Sequence, residues 1–149
     1  MNRSTKTRYV IFQILVEVFK KNRNFEVVFN RMLTEFNFNQ NEVSFINNVC
    51  LNSMRRSIHC KIILNKFIKT KLKTNEFILL VSAIVQIVYL NIKPYAVVND
   101  TVNVSKKINV FPGFINAILK NIVKDIDNVK KTQIKLIDFS EWFIDEIKK

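Results

Sequence analysis

This chain of 149 residues has one glycine, two prolines, two cysteines and one histidine. A dinucleotide-binding fingerprint needs several glycines where backbone meets pyrophosphate, and a Walker-type phosphate loop needs at least two, so neither can be built here. One histidine and two cysteines, Cys50 and Cys60, fall short of a closed zinc site. With nothing suggesting secretion, both thiols are expected reduced and packed. Long apolar runs are missing too. The longest, Phe77 to Leu90 (FILLVSAIVQIVYL), has 14 residues and contains Ser82 and Gln86. A membrane span requires about 20 residues, so a buried central helix is expected instead. The opening Met-Asn-Arg-Ser-Thr-Lys-Thr-Arg has neither the apolar region nor the small-residue cleavage site of a signal peptide. These absences predict a soluble, cytoplasmic protein with no membrane association, no small-molecule substrate, no metal and no cofactor.

Catalytic groupings are equally scarce. His59 stands between Ile58 and Cys60, and neighbours in sequence point apart on a helix, so no thiolate–imidazole pair follows. Suitably spaced paired carboxylates are absent. Asn99, Asp100 and Asn116 are read as structural polar residues that tie helices together through buried hydrogen bonds.

What is present is helical periodicity. Apolar residues make up 48% of the chain and recur at spacings of three and four. Phe12, Leu15, Val16 and Phe19 mark a first helix, widened by Ile11 and Val18, with Ser4, Thr5 and Thr7 available as N-caps. Val28, Met32 and Phe36 mark a second. Asn39 or Asn41 caps a third, which turns Val43, Ile46, Val49, Cys50 and Met54 inward. A fourth runs through Ile58, Ile62, Ile63 and Phe67, and the apolar fifth follows. Pro94 starts a sixth, with Ala96, Val97, Thr101, Val104 and Ser105 as core candidates. Pro112 starts a seventh, carrying Phe114, Ile115, Ile118, Leu119 and Ile122. A short amphipathic piece, Phe139 to Ile147, closes the chain. The many β-branched residues argue for strands, but period-two alternation is missing. The expected fold is all-α, a bundle of about seven or eight helices, with one domain over 1–130 and a tail over 131–149.

Charge is the second signal. The chain carries a net +12, and the stretch from Val43 to Asn75 holds no acid. Its seven bases are Arg55, Arg56, Lys61, Lys66, Lys69, Lys71 and Lys73; Arg3, Lys6 and Arg8 add to the charge near the N-terminus. Phosphate neutralisation with counterion release accounts most simply for such asymmetry. A solvated lysine-rich face in a base-biased proteome, or an acidic membrane surface, are the other readings. Arginine grips phosphate bidentately and stacks on bases, which singles out Arg3, Arg8, Arg55 and Arg56. Tyr9 either stacks on a base or begins the helical core stripe.

Four blocks in order carry a family resemblance: the basic opening Arg3–Arg8, SFINNVCLNSMRRSIHCKIIL with Met54-Arg55-Arg56, VQIVYLNIKPYAVVNDTVNVSKK, and PGFINAILKNI. Together they resemble the NusB-like RNA-binding domain, most closely the version at the N-terminus of RsmB-type ribosomal RNA cytosine-5 methyltransferases. Asn52 stands where the family commonly has glycine, Val81 and Val85 where it has arginine and tyrosine, and Asp100 where it has glutamate. The tail segment Phe139-Ser140-Glu141-Trp142-Phe143-Ile144 resembles the lead-in to the methyltransferase domain. Nothing matches that domain's Pro-Cys and Thr-Cys motifs or its glycine-rich S-adenosylmethionine loop. The resemblance therefore implies a non-catalytic NusB-like helical bundle that binds RNA, ribosomal RNA in particular, through Arg3, Lys6, Arg8, Arg55, Arg56, Lys61, Lys66 and Lys69. A ribosomal protein or a methyltransferase catalytic domain would be its protein partner. A stand-alone transcription antitermination factor and a purely protein–protein interaction module are the alternatives.

Overall fold

Helix starts in this glycine-poor chain are written mainly by asparagine and proline. Asn2 caps α1 (Arg3–Phe19), its side chain accepting from the Thr5 backbone N–H at 2.8 Å. The expected caps Ser4, Thr5 and Thr7 lie inside the helix instead, with the Ser4 and Thr5 hydroxyls turned to Asp100. Asn24 caps α2 (Phe25–Glu35). Asn39 and Glu42 form a reciprocal capping box on α3 (Gln40–Arg55), both bonds at 2.9 Å. α4 (Ser57–Asn65) follows α3 after a single-residue break at Arg56, and α5 (Thr74–Ile84) continues as a π-helical turn, Val85–Tyr89. Prolines open α6 (Pro94–Lys107) and α7 (Pro112–Lys124), where a missing N–H costs nothing.

The computed structural model describes residues 1–131, and no strand occurs among them. The tail piece from Phe139 to Ile147 lies outside the described residues. Where helices end, Asn22, Asn91 and Asn109 adopt φ of 54°, 54° and 58°. Glycine usually fills such left-handed positions, and asparagine is its customary substitute. Gly113 has no positive φ; a Cβ there would sit 3.2 Å from the Phe111 ring.

α5 is the centre of the bundle. It packs against α1, α3, α4, α6 and α7, and every residue from Ile78 to Val88 is buried. α1 touches α2, α3, α5 and α6, so it is covered on more than one side. That is why Val10 and Ile14 are buried alongside Ile11, Phe12 and Leu15, while Val16, Val18 and Phe19 are only half-buried. The expected cores of α3 and α7 hold through Ile46, Val49, Cys50, Ile115, Ile118, Leu119 and Ile122. Two expected core residues do not hold. Ile58 is 71% exposed, because the break at Arg56 rotates the face of α4 to bury Cys60, Ile63 and Leu64. Ala96 is exposed, since α6 buries the stripe Val97, Asp100, Thr101, Val104 and Ser105. α4 also stops before Phe67, so residues 66–73 form a connection.

Candidate nucleic-acid interface

The basic residues near the N-terminus have different environments. Arg3 joins α1 to the start of α3: its Nε donates to Glu42 at 3.0 Å and a terminal nitrogen donates to the Asn37 carbonyl at 3.0 Å. Its side chain is nevertheless 58% exposed, leaving a surface ion pair of the kind that rearranges at small cost. Lys6 lies with its ammonium 5.4 Å from the Phe36 ring centroid.

Arg8 points inward. Its guanidinium pairs with Asp100 at 3.0 Å, the two side chains being 10% and 5% exposed. Its Nε donates to the Gln86 side chain at 2.8 Å, a terminal nitrogen donates to the Ser4 hydroxyl at 2.9 Å, and the Phe45 ring lies beside it. Burial pulls its pKa down from the ordinary value, with the Asp100 charge opposing. Asp100 also accepts from the Ser4 and Thr5 hydroxyls. Gln86, within the π turn, donates to the Ser82 carbonyl at 3.0 Å. One buried polar network thus ties α1, the π turn and α6 together. Asp100 therefore ties α1 to α6, and Arg8 is its buried partner rather than an exposed phosphate ligand.

The second basic segment is open. Arg55, Lys61, Lys66, Lys69, Lys71 and Lys73 are all exposed, and no acid interrupts them in sequence. Lys61 and Lys71 flank an apolar groove of about 310 Å³ floored by Leu64 and Phe77. Arg56 is half-buried, its guanidinium 4.2 Å from the Tyr89 ring centroid and its Nε donating to the side-chain amide oxygen of Asn52 at 3.4 Å. Arg3 reaches Glu42 in the first turn of α3 and Arg55 ends that helix, about 20 Å further along its axis. Arg3 and Arg55 therefore lie toward opposite ends of α3.

The remaining candidates are placed as follows. Asn99 is exposed and Asn116 half-buried, both lining a groove between α6 and α7, so Asn99 makes no buried tie. Tyr9 is half-buried and its hydroxyl accepts from Gln13 at 3.0 Å. His59 is half-buried, with burial and Arg56 lowering its pKa. Cys50 and Cys60 are free thiols and fully buried, and burial pushes Cys60 up to about 12, against the opposing charge of Arg56. No group of side chains suited to holding a metal ion occurs among the described residues. Within them, no helix is long and apolar enough to cross a membrane. Sequence reasoning missed Glu17, a buried carboxylate held by Arg23 and Arg31, and the role of Gln86. The signal for Gln86 was present: a polar side chain inside the most apolar helix needs a partner.

Among solved structures, the fold is similar to a chain in the crystal structure of antitermination factors NusB and NusE in complex with dsRNA, with a TM-score of 0.73 and 22% identity. The match covers 83% of this chain and 98% of that one. No curated protein matches. The NusB family model matches residues 5–124, most of the chain, from the third residue of α1 to the end of α7. On that match, the chain belongs to the NusB family.

Proposed function

We propose that this chain is a non-catalytic RNA-binding module whose main contact surface is the exposed, acid-free basic segment from Arg55 to Lys73, with Arg3 and Lys6 as a second footprint. That exposed segment is the observation that carries the reading. Six cations without an intervening acid suit a polyanion, because each phosphate contact releases a condensed counterion. The finer reading is a ribosomal RNA-binding domain of the kind that precedes an rRNA cytosine-5 methyltransferase domain. The Arg55-Arg56 pair and the Tyr95-Ala96-Val97-Val98 segment favour it. The chain's own residues supply RNA binding and no methyl transfer.

A stand-alone antitermination role is the second reading. It is favoured by the fold's likeness to a chain solved with NusE and dsRNA, almost the whole of which is covered. Fluorescence anisotropy with labelled ribosomal RNA fragments tests the shared proposal. Wild type should bind, and joint replacement of Lys61, Lys69 and Lys71 by glutamine should weaken binding while leaving the melting temperature unchanged. Equal binding by the two proteins would remove the segment from the interface. Calorimetry with S-adenosylmethionine should show no heat of binding; saturable micromolar binding would overturn the non-catalytic reading.

A further inference from the structure

The groove between α6 and α7 is remote in character from the lysine-rich segment, and nothing in the RNA-binding proposal uses it. Its volume is about 480 Å³. At its mouth Tyr95 is 85% exposed on the second residue of α6, held beside Pro94. A solvent-facing aromatic at a helix start is not serving the core. Val98 and Val123 give the groove an apolar floor, and the Asn99 and Asn116 amides stand on facing helices above it. Lys120 and Lys124, one turn apart on α7, reach the same side, and no lining residue is acidic.

We propose that this groove is a stacking site for one unpaired nucleotide of a single-stranded RNA segment. It rests on the RNA-binding reading above and extends it from phosphate attraction to base capture. The parts match the ligand. A base has a flat face for Tyr95 and an edge of donors and acceptors that an amide can meet in either orientation. Its backbone phosphate suits the two ammonium groups. Paired bases present no free face, so the site should favour single strands over duplex.

The test uses the full chain and a short labelled single-stranded oligoribonucleotide. Tyr95→Ala, at an exposed position, should keep the wild-type melting temperature yet bind roughly 5- to 150-fold more weakly, the range expected for losing one stacked base. Tyr95→Phe should bind within about threefold of wild type, because the ring face remains. The salt slope should be unaltered by Tyr95→Ala but flattened by joint Lys120→Gln and Lys124→Gln substitution, which separates stacking from charge. Wild-type affinity in Tyr95→Ala, with binding still lost in the Lys61, Lys69 and Lys71 variant, would overturn the groove site and leave the RNA-binding module intact. Absence of any RNA binding by wild type would overturn both. Sedimentation showing a dimer that Tyr95→Ala dissolves would assign the groove to a second copy and overturn the proposal.

Discussion

Removing the carboxylate of Asp100 tests whether Arg8 belongs to the fold or to the surface. Asp100→Ala leaves the Arg8 guanidinium, 10% exposed, without its counter-charge, and frees the Ser4 and Thr5 hydroxyls. Breaking one side of a buried ion pair costs about 3–5 kcal/mol, because the surviving charge stays in a poorly polarisable site. For 149 residues the unfolding entropy is about 0.3 kcal/mol/K, so the melting temperature should fall by about 10–16 °C. Replacing both partners with apolar groups, as Arg8→Met with Asp100→Leu, should return much of the loss, since no lone charge remains. The measurement is a set of thermal melts on the two single variants and the double. A melt of Asp100→Ala within about 2 °C of wild type would refute the reasoning. So would an Arg8→Met variant of unchanged stability that binds RNA more weakly.

Ile84 is fully buried in α5, and Ile84→Ala should cost about 2–5 kcal/mol in urea unfolding; below about 1 kcal/mol the helix is not central. Burial opposes ionisation of Glu17, yet the hydrogen bonds and charges of Arg31 and Arg23 together hold its carboxyl below the usual 4.5. Its folded pKa is depressed, so its contribution is complete above about pH 4.5 and drains away as the pH falls through the folded value. The gap in urea midpoint between wild type and Glu17→Gln should therefore narrow below pH 4.5, and a gap constant from pH 7 to pH 3 would sink this. Cys50 and Cys60 are buried thiols that should resist a disulfide-exchange reagent at pH 8 in the native state and react fully in urea. Rapid native labelling of either would mean that the helices around them open.

The helices were legible because their apolar spacing, their prolines and the Asn39 cap are local signals. The register of α4 was not. The single-residue break at Arg56 leaves no glycine or proline behind, and it decides that Ile58 faces water and Cys60 the core. Composition could flag a basic surface, since the acid-free run from Val43 to Asn75 is a property of sequence alone. It could not separate Arg8 from Arg55. Both are arginines in basic stretches, and what divides them is Asp100, 92 positions away from Arg8 in the chain. The same long-range pairing hid Glu17, whose partners Arg23 and Arg31 lie beyond the end of its own helix.

The salt dependence of RNA affinity, measured for wild type and Arg55→Gln, bears most directly on the central claim. If Arg55, Lys61, Lys69, Lys71 and Lys73 each meet a phosphate, these five contacts alone should contribute about −3.5 to the slope of log affinity against log salt on single strands and about −4.5 on duplex. Arg55→Gln should flatten it by about 0.7 or about 0.9 respectively, without loss of stability, because Arg55 is exposed. A slope shallower than about −1, or no binding of ribosomal RNA fragments at about 50 mM salt, would contradict RNA recognition by this surface.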